Sequence, residues 1–449
     1  MTSSLKYVVK TAAFLAVPYA LTAAIIYLAF STTYRPIEEY RIVRFVVVLF
    51  FVPVVLKYAL HLLVAPFYPV VESSQARRLR SAMLSVSVLI PAYNEEVGIQ
   101  TTLRSVLATA YPHLEIIVIN DGSTDRTHRL VVDFIRHQRK TQSSPATIRY
   151  RQIVNGGKAR ALNVGLSMAH GDIVITIDAD SVMGKDAIVN MVRRFTHSRV
   201  ASVAGNVAIG NKHGLLGLVQ QLEYLYGFYF KRADALLNAV YIVGGAAAAY
   251  RRDVIEALGG FDEHTITEDI ELSTRLQDHG YMVRYAADAC VLTEGPETFS
   301  GLCRQRLRWK FGRLVTFYRY RHLFFSTDHH HSFFLSFVIL PMALFAEFLL
   351  LLQGALLTIF YIYIVRTNDF IPLMVVIILL TCIIIWQILS DTQSRYHRNL
   401  FLLAPVAWFL FYLLDIVEYQ ALIRSMWNLH RRRRPLWQRW NRVGVFSAT

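Results

Sequence analysis

Long apolar segments lie at both ends of the 449-residue chain, with a long polar stretch between them. They are residues 11–30, 45–65, 341–365, 371–390 and 400–422. Each is close to the roughly 20 residues that an α-helix needs to cross the hydrocarbon core of a bilayer. The first is too long, and too soon followed by the second, to be a cleaved signal peptide. The pattern predicts a membrane protein with five spans.

These spans divide the chain into four parts. We expect two transmembrane helices in residues 1–71, a polar domain in residues 72–330, about three transmembrane helices in residues 331–425 and a basic tail in residues 426–449. The polar part, roughly 260 residues long, is large enough for one substantial domain.

The net charge is +15, and much of the excess lies beside the predicted spans, in residues 77–80, 304–321 and 431–434. Basic flanks mark the cytoplasmic side of a span and contact anionic lipid. We therefore expect a multi-pass plasma-membrane protein with a cytoplasmic domain and with membrane lipid as a partner. The basic clusters do not come with a nucleic-acid-binding motif, so we expect no nucleic-acid partner.

The number of spans conflicts with the charge of the tail. If the domain is cytoplasmic, three further crossings place residues 431–434 outside, which the positive-inside rule disfavours. Either the stretch 331–342 contributes to an extra crossing, or one C-terminal segment enters the membrane without crossing it.

Short apolar runs alternate with helical patterns in the polar domain. The runs predict strands at residues 85–91, 114–120, 148–154, 173–178 and 200–207, and the patterns between them predict helices at 95–109, 125–139, 158–169 and 185–195. This alternation favours an α/β domain with a mostly parallel sheet. Ligands of such sheets bind at the carboxyl ends of the strands.

Acidic residues follow two of these strands. Asp178 and Asp180 are two residues apart, so in extended chain they share a face and repel each other unless a cation lies nearby. Magnesium sites use one or two carboxylates together with phosphate oxygens. A solvated turn is the alternative. Asp121 at a neighbouring strand end favours the cation, and its carboxylate can also accept hydrogen bonds from a base or a ribose.

Two further stretches each allow two interpretations. Lys158 follows Asn155-Gly156-Gly157 at a predicted helix start, where a backbone anion site and a plain loop are equally compatible with the residues. Glu268 and Asp269 open the helical pattern 269–279, either to complement the helix dipole or to supply a general base. The small residues 244–249 before them allow close approach of a substrate or backbone, or tight helix packing.

Gln305, Arg308 and Trp309 lie at helical spacing i, i+3 and i+4, so they share one face of a predicted helix over residues 301–320. A cation and a flat ring on one face suit a sugar diphosphate. An amphipathic helix on the membrane surface is the other interpretation, and different faces can serve both.

Four motifs, taken in their order along the chain, resemble those of the membrane-embedded processive family 2 glycosyltransferases. They are Asp121, Asp178-Ala179-Asp180, Thr267-Glu268-Asp269 and Gln305-Arg306-Leu307-Arg308-Trp309. That family includes the cellulose, chitin, hyaluronan and poly-N-acetylglucosamine synthases. The resemblance covers residues 85–320 closely and the spans only in kind. Length and layout are most similar to the bacterial poly-β-1,6-N-acetylglucosamine synthases, with hyaluronan and chitin synthases close behind.

The resemblance implies a GT-A-type domain inserted between N- and C-terminal transmembrane helices. It also implies an inverting transfer from a UDP-sugar, with N-acetylglucosamine the best match, to a growing polysaccharide that leaves through the spans. Mg²⁺ or Mn²⁺ is the implied cofactor, and an accessory membrane subunit is a further expected partner.

The resemblance also assigns roles to residues of this chain. Asp180 is expected to hold the metal and Asp269 to act as the catalytic base. The expected substrate-binding residues are Ala92, Asn94 and Glu95 near the base and ribose, Asp121 and Asp178 at the nucleotide, Lys158, Glu268, and Gln305, Arg308 and Trp309 at the diphosphate and acceptor.

Four polar residues inside the C-terminal spans, Glu347, Gln353, Asp415 and Glu418, are candidates to face a polymer path, or else stabilise helix packing.

Two other functions fit parts of the sequence. A non-processive transferase that adds one sugar to a lipid carrier shares Asp121 and the Asp178–Asp180 pair but does not need the Gln305–Trp309 motif. A transporter with a nucleotide-sensing domain binds without turnover, and Asp269 has no purpose in it.

Overall fold

The structure, a computed structural model, describes residues 53, 56–76, 84–141, 146–433, 435 and 442–445. The predicted span at 11–30 lies outside the described residues, and so does about half of the one at 45–65, whose residues 56–65 are helical. The strands are β1 (Val86–Ala92), β2 (Leu114–Asp121), β3 (Thr147–Ile153), β4 (Ile173–Thr176), β5 (Ser181–Met183), β6 (Val200–Ile209), β7 (Ala248–Arg251) and β8 (Met282–Thr293). The helices are α1 (Tyr68–Ala76), α2 (Ile99–Leu107), α3 (Thr127–Thr141), α4 (Lys158–Met168), α5 (Ala187–Val192), α6 (Gly214–Leu236), α7 (Arg252–Ala257), α8 (Glu268–Asp278), α9 (Phe299–Arg319), α10 (Leu340–Thr367), α11 (Ile371–Ser390) and α12 (Ala407–His430).

The eight strands form one sheet in the order β3-β2-β1-β4-β7-β6-β8-β5. The four strands from β3 to β4 are parallel, as predicted. β6 and β8 are also parallel to each other, so six of these eight strands run in one direction, whereas β7 and β5 run antiparallel to their neighbours. The sheet is mixed. β5 and β7 have only three and four residues, too few to show a strand period in the sequence.

Both faces of the sheet are buried, which explains the uninterrupted apolar runs of the central strands. In β1, Val88 and Ile90 pack into one core, and Leu89 packs into the core on the opposite face. The stretch 244–249 runs into β7, so the interpretation of tight helix packing is wrong. Its small residues permit close strand approach instead, since a Cβ added at Gly205 of β6 would lie 2.8 Å from Ala247 Cβ.

Three C-terminal helices are long and apolar enough to cross a membrane, as the sequence predicts. They are Leu335–Thr367, Ile371–Ser390 and Ala404–His430. The stretch 331–342 does not form a separate crossing, because a π-helical turn at Leu335–Ile339 continues directly into α10.

The C-terminal ends of α11 and α12 both lie at the polar domain. Asp391, directly after α11, pairs with Arg232 of α6 at 3.2 Å. The chain then turns back, and the Thr381 hydroxyl in the middle of α11 donates to the Ala404 carbonyl at 3.3 Å. At the far end, Arg432 and Arg433 line a cavity together with His264 of the domain. Helix α12 therefore begins beside the middle of α11 and ends at the domain.

Candidate active site

Seven acidic side chains gather at the carboxyl ends of the strands. Five are buried, and Asp178 and Asp269 are half-buried. The buried ones are Glu95, Asp121, Asp180, Glu268 and Glu294. The parallel strands place the residues that follow β1, β2 and β4 at one edge, as the sequence predicts, and β8 adds Glu294 there. This edge of the sheet is a strongly acidic pocket that needs cations to compensate it.

Asp121 ends β2 and organises the turn that precedes α4. Its two carboxylate oxygens accept hydrogen bonds from the backbone N–H groups of Gly156 and Gly157 at 2.8 and 2.9 Å. Asn155 adds a hydrogen bond from its amide to the Asp121 carbonyl at 3.0 Å. Gly157 has φ +93°, which favours glycine. The Asn155–Gly157 stretch is thus an ordered turn held by Asp121.

Asn94 joins the loops that follow β1 and β2. It has φ 56°, a left-handed conformation that asparagine tolerates. Its side-chain oxygen accepts from the N–H groups of Thr124 and Asp125 at 2.7 and 3.2 Å. Ala92, just before it, is buried at the end of β1. These contacts fix the shape of the loops beside Asp121.

Lys158 is the cation at the centre of the cluster. Its Nζ lies 2.5 Å from Asp178 Oδ1 and 3.1 Å from Glu268 Oε1. Burial opposes the charge of the ammonium, but the carboxylates around it outweigh burial and raise the pKa of Lys158. Burial likewise opposes the charge of Asp178, and Lys158 and Arg308 reverse this and lower the pKa of Asp178. Burial raises the pKa of Glu268.

Asp269 lies in the first turn of α8, beside this cluster. Its Oδ2 accepts from the N–H of Gly245 at 2.7 Å, and its Oδ1 accepts from its own neighbour Ile270 at 2.9 Å. The side chain is half-buried, so one side of the carboxylate faces the pocket. The helix start that favours an acid is confirmed and lies beside the cluster, whereas the role of Asp269 as a general base stays a prediction.

Asp180 and Glu95 share a cation that the sequence analysis missed. Arg442 of the C-terminal segment lies with Nη1 2.5 Å from Asp180 Oδ2 and with Nη2 2.7 Å from Glu95 Oε1. Burial raises the pKa of Glu95 to about 8 even with Arg442 beside it. Glu294 was also missed, although it directly follows β8 and the rule of strand ends would have found it. Arg442 gives no signal in the sequence, since it is one of many basic residues in the tail.

The three Gln305–Trp309 motif residues differ in burial on α9. Gln305 is buried, and its side-chain oxygen has no hydrogen-bond partner within the described part of the chain. Arg308 is close enough to Asp178 to lower its pKa. Arg306, to which the sequence analysis assigned no role, stacks on the Trp309 ring at 4.3 Å and pairs with Glu223 at 2.6 Å. The motif thus has one cation at the acidic pocket and one that braces the Trp309 ring.

The four candidate polar residues of the C-terminal spans are all paired, two of them with cations of α9. Glu418 pairs with Lys310 at 2.6 Å and with Arg306 at 3.5 Å. Glu347 pairs with Lys310 and Arg313, and Gln353 donates to Asp415. These contacts account for all four residues as partners in packing between α9, α10 and α12.

The pocket also has the donor set of a divalent-cation site. Asp180 accepts hydrogen bonds from the Ser181 and Thr293 hydroxyls through Oδ1, which fixes its orientation and leaves Oδ2 directed into the pocket. Glu95 and Glu294 add two more buried carboxylates. An all-oxygen set with excess negative charge fits a hard cation such as Mg²⁺ or Mn²⁺.

The family described as "Glycosyltransferase like family 2" matches residues 84–312, which is half of the chain and contains every residue of the acidic pocket named above except Arg442. The chain belongs to the family 2 glycosyltransferases. The resemblance inferred from the motifs is thereby confirmed, and the domain is a glycosyltransferase domain.

Curated relatives point to one branch of the family. The poly-β-1,6-N-acetyl-D-glucosamine synthase of Staphylococcus epidermidis is 36% identical over 231 residues, covering 51% of this chain and 54% of that protein. The Staphylococcus aureus (strain COL) protein of the same name is 37% identical over 230 residues, with the same coverage. The match thus spans about half the length of these relatives.

A solved structure supports the fold. The mannosyltransferase of Pyrobaculum calidifontis, in complex with GDP-Man and Mn²⁺, superposes with a TM-score of 0.52 at 18% identity, covering 85% of this chain and 99% of that one. The likeness shows a GT-A-like domain.

Proposed function

We propose that the protein is an inverting membrane glycosyltransferase that transfers N-acetylglucosamine from a UDP-sugar to a growing polysaccharide. One observation carries the proposal: Lys158 contacts both Asp178 and Glu268 directly, with Asp269 beside them. Three motifs that are far apart in sequence thereby form one pocket at the carboxyl edge of the sheet. The names of the curated relatives supply the choice of sugar and of polymer.

Asp269 is the proposed catalytic base. It takes the proton of the acceptor hydroxyl as that oxygen attacks the anomeric carbon, and the bond to the diphosphate breaks on the opposite side. The N–H of Gly245 holds the carboxylate in one orientation while its exposed side faces the pocket. Attack from the side opposite to the leaving group inverts the configuration at that carbon.

The leaving diphosphate gains negative charge, and cations at the pocket stabilise it. Lys158 contacts Asp178, and Arg308 is close enough to lower the pKa of Asp178, so these two cations are the proposed partners of the diphosphate. A divalent cation, Mg²⁺ or Mn²⁺ held by Asp180, would neutralise further charge on the phosphates. Asp121, with Ala92, Asn94 and Glu95, is proposed to shape the nucleotide site. Gln305 and Trp309 are proposed to contact the acceptor end.

We infer a multi-pass protein of the plasma membrane with the catalytic domain in the cytoplasm. The contacts of Asp391 and of Arg432 both lie at the polar domain, so the three C-terminal helices return the chain to its starting side. The segment between α11 and α12 then enters the membrane without crossing it, which removes the conflict with the positive-inside rule. The polymer is proposed to leave through the spans, and anionic lipid and an accessory membrane subunit are the proposed further partners.

The test is turnover by the purified full chain in vesicles, with labelled UDP-N-acetylglucosamine, UDP-glucose, UDP-glucuronate and GDP-mannose, each with Mg²⁺ or Mn²⁺. We expect a high-molecular-weight product from UDP-N-acetylglucosamine that a β-hexosaminidase degrades. Transfer of a single sugar into the lipid phase would replace the proposal with a non-processive transferase. Binding of the donor without nucleotide release, even with co-expressed membrane partners, would favour the sensing transporter.

A further inference from the structure

A short piece of the C-terminal segment, Arg442–Gly444, is docked on three buried carboxylates. The Arg442 guanidinium bridges Asp180 and Glu95, and all three side chains are at most 10% exposed. The N–H groups of Val443 and Gly444 donate to the two oxygens of Glu294 at 2.9 and 3.0 Å. The segment therefore binds through both its side chain and its backbone.

The fit of this segment is specific in shape as well as in charge. Gly444 has φ +87°, a conformation that favours glycine. The next residue, Val445, lies close to Gly210: a Cβ added at Gly210 would be 2.3 Å from Val445 Cγ1. A sequence of Val-Gly-Val after the arginine is thus matched to the surface beside Glu294.

The guanidinium and a divalent cation require the same space. Carboxylate oxygens hold Mg²⁺ at about 2.0–2.1 Å and other hard divalent ions at up to about 2.6 Å. Arg442 Nη1 is 2.5 Å from Asp180 Oδ2, the oxygen that points into the pocket, so it stands where such an ion would bind. The Arg442 guanidinium supplies one positive charge at this position, whereas a divalent cation would supply two.

We propose that Arg442 is an internal competitor for the cation position at Asp180. The chain then alternates between a state in which Arg442 occupies this position and a state in which the cation and the donor diphosphate are bound. Because only the fraction without Arg442 at Asp180 binds the ion, the apparent dissociation constant of the ion is raised by the inverse of that fraction. The inference rests on the proposed role of Asp180 as the metal ligand.

The experiment measures Mn²⁺ binding to the purified full chain by the electron paramagnetic resonance signal of free Mn²⁺, without donor. We expect Arg442→Gln to bind Mn²⁺ at least about tenfold more tightly, if the competing state holds nine-tenths or more of the wild-type chain. Arg442→Lys keeps a positive charge, so its Mn²⁺ affinity should lie between those of the wild type and Arg442→Gln. Arg431→Gln is the matched control, because the Arg431 guanidinium stacks on Trp427 at 4.2 Å, and its affinity should equal that of the wild type.

A second variant keeps the arginine and loosens the segment. Val443→Pro removes one N–H that donates to Glu294, so it too should tighten Mn²⁺ binding. Unchanged or weaker binding in both Arg442→Gln and Val443→Pro would overturn the inference. Asp180→Asn separates the two proposals: if it binds Mn²⁺ like the wild type, the metal role of Asp180 fails. If it loses binding while the tail variants match the wild type, only the competition by Arg442 fails.

Discussion

Replacing Gly245 with alanine displaces the central cation of the pocket while leaving the fold intact. The added Cβ would lie 2.8 Å from Lys158 Nζ, whereas ordinary contacts begin at 3.4 Å, so the ammonium must move by about 0.6 Å. The same Cβ would lie 3.5 Å from Asp269 Oδ2, an ordinary contact. The substitution therefore displaces the Lys158 ammonium from its present contacts with Asp178 and Glu268 without pushing on the proposed base.

The expected loss follows from this displacement. A misplacement of about 1 Å costs roughly a hundredfold in rate, so a shift of about 0.6 Å should lower kcat about tenfold, or ~1.4 kcal/mol. Stability should change little, because a lysine terminus moves cheaply and Gly245 has no positive φ that alanine would resist. Reduced entropy of the unfolded chain contributes about 0.4–1 kcal/mol in favour of the alanine variant.

The assay compares nucleotide release and thermal unfolding of wild type, Gly245→Ala, Lys158→Met and the double variant. Gly227→Ala on α6 is the control, since its Cβ meets nothing within 4 Å. If Gly245 acts through Lys158, the double variant should be no slower than Lys158→Met alone. Fully additive losses, or a Gly245→Ala rate within twofold of the wild type, would refute the reasoning.

Three further predictions concern the residues around this pocket. Arg306→Leu should lower the free energy of unfolding by about 3–5 kcal/mol in a denaturation assay, because Glu223 loses its buried partner, while Glu418 still pairs with Lys310. A rise in stability would contradict it. Asp121→Ala removes the acceptor of two backbone N–H groups and should weaken UDP binding by at least about tenfold in calorimetry, roughly one lost charged hydrogen bond. Unchanged binding would show that the turn does not shape the nucleotide site. The pKa of Asp178 is lowered below 3.8, so its pairing with Lys158 stabilises the fold above that pH and is lost as the pH falls through the folded-state pKa. The gap in thermal stability between wild type and Lys158→Met should therefore be full at pH 7 and close below about pH 3.8, and a gap independent of pH would contradict the pairing.

Local patterns in the sequence predicted the part of the site that lies on the parallel strands. Asp121 and Asp178 each follow an apolar run, and parallel strands bring their ends to one edge, so their closeness needed no further information. The position of Lys158 could be predicted for the same reason, because the helix that begins at Lys158 follows the neighbouring strand β3.

The remaining features depend on contacts between distant parts of the chain. β7 is too short to show a period, and its antiparallel insertion beside β4 is fixed by pairing rather than by its own residues. Arg442 is 262 positions away from Asp180, and its arginine-rich surroundings look like a membrane flank. Glu294, unlike β7 and Arg442, could have been predicted, because it directly follows an apolar run that the sequence analysis did not use.

The most direct test of the account is the rate of UDP release by Asp269→Asn, measured beside donor affinity. The amide keeps the size of the side chain and can still accept from Gly245, so UDP-N-acetylglucosamine should bind within about threefold of wild type. Loss of a general base should lower kcat by about 10²–10⁴. Asp133→Asn on α3, an exposed acid, is the matched control and should keep full activity. Polymer synthesis by Asp269→Asn at the wild-type rate would contradict the assignment of the base and with it the proposed mechanism.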